Sequence, residues 1–596
     1  MNKIEIIHGN YTPRTFGWIQ DPSNFRSLCD VVAVFDCNSK KYKELSGSVI
    51  PQLVSEEDGR KELINALNKR PLAIAYSKLV GTSFFPRASA RCNGIIQAAV
   101  KGQSRPFIGD WPADNFLRWA HALGFIRYDY ESDSFSITPE GKRLSKAYAG
   151  NSDLNDKEKA VLIDAVLAYP PACRILNLLA HTDDTHLTKF ELGSRLGFVG
   201  EDGFTSLGQK TIVKAIALAK DAYERNNIIQ NREASADKYA RMIAKWLQKL
   251  GLVEQKPKKV AVDLAGETFS CSIPQAYVIT NAGRIALGRV NGRSRHKRIA
   301  KNVFYEMMAT KGSDREYIRT RRSYILKFLT RGSDKISYSS IVQRLSCEKL
   351  NETIQTVKDD IIGLCNIGLS IQIYEDGCKW SDRINDFVVP QPPDANFKKS
   401  QLTGIKEQIR AHLANVSHDY LTLIDLAYDS RQNALFEVKA VELLTEECNF
   451  CGQHMGGSRK PDGIIFTDSL DKNFGVIIDT KAYKDGYNLP ISQADEMSRY
   501  IDENKKRSDV INPSQWWKKF GDDIDLFFFM FVSGHFIGNF AEQIKRISNV
   551  TGIDGTAIGI QNLLLVAEAI KSGRLSKCCL RDKAFNSSEF IPLQLQ

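Results

Sequence analysis

The stretch GGSRKPDGIIFTDSLDKNFGVIIDTKAY, residues 456–483, holds two short aliphatic runs separated by a turn-rich segment. The first run follows a Pro-Asp pair that ends at Asp462, and the second run leads into Asp479 and Lys481. Two β-rich runs with a polar connection between them predict a β-hairpin. Side chains two positions apart on a strand share a face, so Asp479 and Lys481 point the same way. The hairpin therefore predicts two carboxylates and one ammonium group at one edge of a sheet, with Asp462 beside the other two.

Two carboxylates beside a lysine suit phosphodiester hydrolysis. The carboxylates can hold Mg²⁺, a hard ion that prefers oxygen ligands and keeps several waters. A lysine can orient the attacking water or offset the charge of the transition state. We therefore predict Asp462, Asp479 and Lys481 as catalytic residues and the two aspartates as metal ligands. The pattern resembles the PD-(D/E)xK signature of a large nuclease superfamily.

The same letters occur elsewhere in the chain, so sequence context decides between them. Acid-x-Lys triplets also begin at Glu437 and at Glu503, where they lie in polar sequence of helical character. The triplet at Asp479 differs because it follows an aliphatic run. The alternative for this stretch is a surface hairpin with charged ends. Glu437, on the helix before the hairpin, is either a catalytic helper or a solvated helix residue, and the second interpretation is favoured.

Composition describes a multidomain globular protein. The chain has 596 residues, 43% of them hydrophobic and 25% charged, and about 150 residues per domain predicts about four domains. No apolar run approaches the ~20 residues of a membrane span, and the first residues lack the apolar core of a signal peptide. The net charge of +11 fits a polyanionic partner. Cys448 and Cys451, with His454 nearby, lack the second ligand pair that a zinc site usually needs.

An internal repeat about 130 residues apart indicates a duplicated module. The segment RWAHALGFI from Arg118 matches KWLQKLGLV from Lys245, and ITPEG from Ile137 matches ITNAG from Ile279. Helix, strand, wing and strand follow one another as in a winged helix-turn-helix, which places a recognition helix in the major groove of DNA. A third, fainter copy lies within residues 320–374. Winged helices also serve as protein-contact modules, but the basic charge favours DNA binding.

Prolines mark the main domain boundary. Residues 389–394 read VPQPPD, and three prolines in four residues block helix and strand alike. We predict winged-helix DNA-recognition subdomains at 1–155 and 156–295, a winged-helix-like subdomain for protein contacts at 296–387, a linker at 388–396 and a PD-(D/E)xK cleavage domain at 397–596. The expected fold class is multidomain α+β and α/β, with a mixed sheet flanked by helices in the nuclease domain.

Nearly the whole chain resembles the FokI-like type IIS restriction endonucleases. Matching stretches, in the same order, include RTFGWIQ (14–20), NFLRWAHALGFI, LTKFELG, HMGGSRKPDG, DTKAY, GYNLPISQADEM and FVSGHFIGN. The resemblance implies a cytoplasmic bacterial enzyme that binds a short asymmetric, GGATG-like site in duplex DNA. It also implies a Mg²⁺-dependent double-strand cut at a fixed distance outside the site, 5′-phosphate ends, and a cognate methyltransferase in the same system.

The resemblance also implies which side chains contact bases. These are Gln20, Arg87 and Trp111 in the first subdomain, and Asn231, Glu233, Lys238 and Arg241 in the second. The chemistry fits, because Arg and Lys suit guanine, Asn and Gln suit adenine, and Glu can accept from cytosine. Without the resemblance, Trp111 would be expected in the core. Asp21 stands where the family has an amide, which puts the identity of the recognised site in doubt more than the chemistry.

Asp495 and Arg499 lie one helical turn apart. They form either an ordinary surface ion pair worth ~0.3–0.5 kcal/mol or, as the resemblance implies, a contact with a second copy of the chain across a two-fold axis. We favour the second interpretation, since one active site cuts one strand. The alternative function is a sequence-specific DNA-binding regulator with an inactive nuclease domain. A repair nuclease that recognises DNA structure is a third hypothesis, which the duplicated modules disfavour.

Overall fold

The computed structural model describes residues 4–12, 14–82, 91–148, 150, 153–181, 186–264, 266–292, 298–332, 334–391, 399–470 and 472–592. The chain forms two compact units. The first comprises Met1–Phe198, Lys238–Lys256 and Pro274–Lys398, and the second comprises Val199–Asp237, Pro257–Ile273 and Lys399–Gln596. Across the described ranges, no single helix is long and apolar enough to cross a membrane. One bent helix pair, at 156–167 and 170–181, meets the requirement by length and composition alone.

The first part of the chain contains the predicted order of helix, strand, wing and strand. Its elements are β1 (Ile4–His8), α1 (Phe25–Val34), α2 (Lys40–Glu44), α3 (Ile50–Leu53), α4 (Glu57–Asn68), β2 (Ile74–Ala75), α5 (Tyr76–Val80), α6 (Ile95–Ala99), α7 (Asp110–Ala122), β3 (Ile126–Asp129), β4 (Ser134–Ile137) and α8 (Pro139–Ala147). Strands β3 and β4 pair antiparallel, and β2 joins β4. Helix α7 is therefore followed by a wing, as a winged helix requires.

The second part repeats the order of helix, strand, wing and strand, with an added β-hairpin. Its elements are α9 (Asp156–Leu167), α10 (Pro170–His181), β5 (His186–Thr188), α11 (Lys189–Gly193), α12 (Gln209–Ala217), α13 (Ala222–Asn231), α14 (Ser235–Lys249), β6 (Val253–Gln255), β7 (Lys258–Leu264), β8 (Glu267–Ile273), β9 (Ala276–Ile279) and α15 (Asn281–Asn291). Residues 254–275, between β6 and β9, contain the antiparallel hairpin β7–β8. Its buried side chains alternate with exposed ones, as on a strand with one covered face.

Matching positions of the repeat have matching local geometry. A Cβ atom on Gly141 would lie 2.1 Å from the carbonyl oxygen of Phe125, and one on Gly283 would lie 2.0 Å from that of Leu252. Each glycine follows a threonine hydroxyl that caps the next helix by accepting from the glycine N–H. The close approach of helix and strand leaves no room for a side chain, which explains why both copies read I-T-x-x-G.

The third part forms another small helix and strand module. Its elements are α16 (Arg315–Thr330), β10 (Ile336–Ser337), α17 (Tyr338–Cys347), α18 (Ile354–Asn366), β11 (Ile371–Ile373), β12 (Gly377–Trp380) and β13 (Phe387–Gln391). The prediction that prolines block a strand throughout 389–394 is wrong up to Gln391, because β13 pairs in parallel with β1. Pro390 is tolerated because β13 pairs on one side only in the described sheet, where a missing N–H can face outward. Residues 392–396 of the predicted linker lie outside the described residues.

The second unit contains a mixed sheet covered by helices on both faces. The elements of its longest segment are α19 (Gln401–His412), α20 (Thr422–Leu426), α21 (Asn433–Glu442), β14 (Cys451–His454), β15 (Gly463–Phe466), β16 (Phe474–Lys481), α22 (Ile491–Lys506), β17 (Leu526–Ser533), α23 (Phe540–Thr551), β18 (Gly555–Gly559), α24 (Ile560–Lys571), α25 (Lys577–Ala584) and β19 (Ser588–Glu589). Strands β14 to β19 lie in chain order, antiparallel up to β16 and parallel beyond it. Two hydrophobic clusters fill the two faces. The predicted fold class is confirmed.

Candidate active site

The predicted hairpin forms and brings the three predicted catalytic residues together. Strands β15 and β16 pair antiparallel with Gly463 opposite Ile478, so Asp462 lies beside the end of β16. The backbone N–H and the hydroxyl of Thr480 donate to Asp462 Oδ2 at 2.7 and 3.0 Å. Lys481 Nζ donates to Asp479 Oδ1 at 2.7 Å. The cluster lies at the carboxyl end of β16, where the neighbouring parallel strand β17 also ends.

Burial and neighbouring charges shift the pKa values of Asp479 and Lys481. Asp479 is 5% exposed, and burial raises its pKa well above the ordinary value, with Asp462 acting in the same direction and Lys481 against it. Burial alone would lower the pKa of Lys481, but Asp479 and Asp462 outweigh it and the pKa is raised. Two crowded carboxylates in a dry site favour a bound cation, because it relieves their repulsion. Lys481 supplies one positive charge already.

The donor set fits a hard divalent cation. Asp462 and Asp479 offer carboxylate oxygens, which Mg²⁺ and similar ions prefer. Among the residues that the structure describes, no group of three or more His, Cys, Asp or Glu side chains is placed to hold a metal. Two carboxylate ligands suit an ion such as Mg²⁺ that keeps several waters.

Two polar residues near the cluster, Tyr487 and Glu496, were not identified from the sequence. Tyr487, in the loop after β16, lies in the field of Asp479 and Asp462. Glu496, on α22, acts electrostatically on Lys481. Both residues follow the hairpin by several positions and belong to no spacing pattern of a strand or turn. Only the three-dimensional packing of α22 and its preceding loop brings them to the site.

Glu437 is partly buried rather than fully solvated. Its carboxylate lies 3.3 Å from Nε2 of His454, which belongs to β14, and its side chain is 23% exposed. The pair packs beside the hairpin, so Glu437 has a structural partner.

The thiols of Cys448 and Cys451 are buried. Burial raises the pKa of Cys448 and of Cys451 to about 12, as for inert buried thiols.

Four of the predicted base-contacting residues lie in the first unit. Trp111 begins α7 and is 60% exposed, so the expectation of a core position is wrong. Gln20 is half-buried in the loop before α1, and Lys238 and Arg241 are half-buried on α14. The loop contacts α14 directly, because Trp246 Nε1 donates to the carbonyl of Pro22 at 2.9 Å.

The remaining predicted base-contacting residues are Asn231, Glu233 and Arg87. In the second unit, Asn231 ends α13 and is exposed, and Glu233 is half-buried two residues later. Arg87 lies outside the described residues.

Asp21 is the residue that departs from the family. It lies near Arg241 and Lys245, which act to lower its pKa, but the larger effect of burial raises it. The negative charge next to Gln20 is thus partly offset from α14.

Asp495 and Arg499 both lie on α22 but have different partners within the chain. Asp495 accepts from Arg546 of α23 at 2.8 Å, and Arg499 donates to Glu496 at 3.0 Å. Helices α22 and α23 border an open groove of about 360 Å³ that both residues line. The groove is flanked by the exposed apolar side chain of Val550, which is 72% exposed.

A carboxylate pair and a lysine at the end of a hairpin, in a mixed sheet flanked by helices, define a PD-(D/E)xK nuclease. Family comparisons agree with this class along the chain. Residues 399–591 match the FokI cleavage domain, 14–147 match subdomain 1 of the FokI recognition domain, 158–295 match subdomain 2, and 308–376 match the FokI D3 domain.

Similar proteins cover nearly the full length. The type II restriction enzyme FokI of Planomicrobium okeanokoites is 44% identical over 97% of this chain and 99% of its own length. The type II restriction enzyme StsI of Streptococcus sanguinis is 33% identical over 97% of each chain. The structure of FokI bound to DNA has a TM-score of 0.89 at 42% identity, covering 97% of this chain and all of that one. A second structure of FokI has a TM-score of 0.87 at 43% identity, with the same coverage.

This chain belongs to the FokI family of type II restriction endonucleases. It is therefore a site-specific deoxyribonuclease, as the sequence predicted, and the family implies a divalent metal requirement.

Proposed function

We propose that this protein binds a short asymmetric, GGATG-like site in double-stranded DNA and cuts both strands at a fixed distance to one side. The cut requires Mg²⁺ and leaves 5′-phosphates. The observation that carries this proposal is the cluster of Asp462, Asp479 and Lys481, which follows tandem winged helices in one chain. Recognition and cleavage on separate parts of the chain explain a cut outside the site.

In this mechanism Asp462 and Asp479 would hold Mg²⁺, with Thr480 fixing the Asp462 carboxylate through two hydrogen bonds. When bound, the ion would polarise the phosphoryl oxygen of the DNA and lower the pKa of a water bound to it. Lys481 stays protonated because both carboxylates raise its pKa. It orients the attacking water and offsets the negative charge that builds on the phosphoryl group. In-line displacement of the 3′-oxygen leaves the 5′-phosphate.

Site recognition is assigned to residues 1–155 and 156–295, with 296–387 serving protein contacts and 397–596 serving cleavage. The assigned base contacts are Gln20, Arg87, Trp111, Asn231, Glu233, Lys238 and Arg241. The exposed ring of Trp111 at the start of α7 supports this assignment, since the first residues of a recognition helix face base edges.

Cutting both strands requires two cleavage domains. We assign the contact between them to α22, with Asp495 of each copy meeting Arg499 of the other across a two-fold axis. The groove between α22 and α23 and the exposed apolar side chains Ile491, Val510 and Val550 support this surface. The dimer is transient and forms during cutting. A cognate methyltransferase is the functional partner that protects host DNA carrying the same site.

The first experiment is a digest of a plasmid carrying GGATG sites, with Mg²⁺ and with EDTA, followed by sequencing of the ends. We expect discrete fragments whose ends lie at a constant offset from one motif, and no cutting with EDTA. Sequenced ends also show whether Asp21 changes the recognised site. DNA binding without cutting under varied divalent metals would favour a regulator with an inactive nuclease domain. Random cuts would favour a structure-specific repair nuclease.

A further inference from the structure

The hydroxyl of Tyr487 is buried beside the catalytic cluster without a hydrogen-bond partner among the described residues. The side chain is 2% exposed. A buried hydroxyl that lacks a partner destabilises the folded state, because its desolvation is not compensated. Phenylalanine would fill the same space without this cost. The hydroxyl therefore points to a partner group that the chain itself does not supply.

The surroundings of Tyr487 hold its ring in one place. Its ring stacks on Tyr483, with centroids 5.3 Å apart and planes 22° from parallel. Phe536 meets it edge-on at 6.1 Å. Its backbone N–H donates to the carbonyl of His535 at 3.0 Å, and its own carbonyl accepts from Ile537 at 3.0 Å. These contacts favour one position of the ring, in which the hydroxyl makes no hydrogen bond to a carboxylate.

The carboxylates around the phenol are already engaged. Burial is the largest effect that raises the pKa of Tyr487, followed by Asp479, with Glu496 and Asp462 also contributing. Tyr487 packs in the same hydrophobic cluster as Ile477, on the face of β16 that also carries Asp479, so the phenol lies on the side of the sheet where the catalytic cluster sits, and its raised pKa keeps it protonated. Asp479 accepts from Lys481, Asp462 accepts from Thr480, and Glu496 accepts from Tyr500, Arg499 and Gln493 of its own helix.

We infer that the Tyr487 hydroxyl donates a hydrogen bond to a non-bridging oxygen of the scissile phosphate. A phosphate entering the cluster supplies the acceptor that the chain lacks. A fixed donor in a dry site stabilises negative charge more than a mobile one in water does. The inference rests on the proposed function, since it needs phosphodiester hydrolysis at Asp462 and Asp479. It makes Tyr487 a further catalytic residue that contacts the substrate.

The test compares full-length wild type with Tyr487→Phe and a matched control, Tyr483→Phe. The control removes the hydroxyl of the neighbouring, 49% exposed tyrosine and keeps its ring in the stack. Single-turnover cleavage of a plasmid with the recognised site is measured at saturating Mg²⁺, and DNA affinity is measured in EDTA. We expect Tyr487→Phe to cleave about 100-fold more slowly, with unchanged DNA affinity and an apparent Tm at or above that of wild type. Tyr483→Phe should cleave within about twofold of wild type, since its hydroxyl is not the orphaned one.

A sulfur substitution at the scissile phosphate separates contact from a structural effect. Replacing the contacted oxygen by sulfur should slow wild type and should slow Tyr487→Phe much less, because the variant has already lost the hydrogen bond. Equal cleavage by wild type and Tyr487→Phe, or an equal sulfur effect in both, would overturn the inference while leaving the proposed function intact. Failure of wild type to cut with any divalent metal would overturn both.

Discussion

Lys481 balances the charge of two crowded carboxylates, so its removal has consequences beyond the loss of one ammonium group. Lys481 is the strongest influence that holds down the raised pKa of Asp479. We predict that Lys481→Ala cleaves at least about 100-fold more slowly at pH 7.5, because a transition-state contact is lost. The residual rate should rise with pH and level off at a higher pH than in wild type, since Asp479 then keeps its proton to higher pH.

Lys472, exposed in the turn of the same hairpin, provides the matched control. Lys472→Ala should retain the wild-type rate and pH profile. The measurement is the single-turnover rate from pH 6 to pH 9 at fixed Mg²⁺. A Lys481→Ala variant with the wild-type profile would show that Asp479 does not titrate in this range.

His121 makes the first unit sensitive to acid. The imidazole is buried, packs against Phe16 and Phe304, and burial lowers its pKa from 6.5 to about 4. Between these values the unfolded chain binds a proton that the folded protein does not, so stability falls as the pH drops through this window and is constant above it. The loss approaches about 3 kcal/mol at pH 4.

We predict that His121→Gln flattens this dependence. The glutamine amide can donate to the carbonyl of Ile126, which lies 3.2 Å from His121 Nδ1, but it does not titrate. Thermal unfolding at pH 7 and pH 5 checks the prediction, and the variant should lose less stability on acidification than wild type. His181→Gln, at an exposed position, should behave as wild type. The same acid-induced loss in His121→Gln and wild type would contradict the assignment.

Between helices, the ion pair of Arg546 and Asp495 competes with the proposed dimer. Asp495 on α22 accepts from Arg546 on α23, so it must exchange partners to meet Arg499 of a second copy. Both side chains are exposed, and such pairs contribute about 0.2–1 kcal/mol. We predict that Arg546→Gln raises the cleavage rate up to about fivefold at enzyme concentrations where dimerisation limits the rate.

The dependence of rate on enzyme concentration tests this competition. Arg546→Gln should differ from wild type at low concentration and converge with it at high concentration. Asp495→Asn should change the rate in the opposite direction, because it removes the group that both partners need. A slower Arg546→Gln variant would instead mean that Arg546 belongs to the contact between copies.

Local spacing predicted the elements that depend on neighbours in the chain. The hairpin of Asp462 and Asp479 and the two wings were predicted, since alternation and turns are local signals. The repeat also predicted that Trp119 and Trp246 are equivalent, but not that their rings stack on each other at 5.0 Å. Tyr487 could not be identified for the same reason, because its role depends on packing between distant segments. Pro390 was misjudged because partner strands cannot be read from composition.

At the scale of the whole molecule, the second unit joins residues of the recognition region to residues of the cleavage region. Lys439 is buried and donates to the carbonyl of Ser206 at 3.1 Å and to Asp419 at 2.7 Å. Glu442 accepts from the N–H of Gly208 at 2.9 Å, and Glu446 accepts from that of Thr211 at 2.7 Å. These contacts tie the segment 199–237 to α21 and the turn that follows it.

This contact should weaken as the pH rises, because burial disfavours the ionised form of one of its carboxyl groups. Burial raises the pKa of Glu442 from 4.5 to about 8, with Glu446 acting in the same direction and Lys439 against it. A raised carboxyl pKa stabilises the contact fully below the ordinary value and loses that effect as the pH rises to the raised value. The contact therefore weakens progressively as the pH rises from about 5 to about 8.

We predict that cutting of DNA without the recognised site rises, relative to cutting at the site, from pH 6 to pH 8, and then levels off. The reason is that breaking these contacts separates segment 199–237 from α21 and so releases the catalytic residues from the recognition region. Glu442→Gln should hold this ratio constant across the pH range, since the amide does not titrate, whereas Glu542→Gln at an exposed position of α23 should follow wild type. The ratio is measured on paired substrates at each pH, which cancels the pH dependence of the chemistry. A ratio that rises equally in Glu442→Gln would show that Glu442 is not the group whose titration opens the contact.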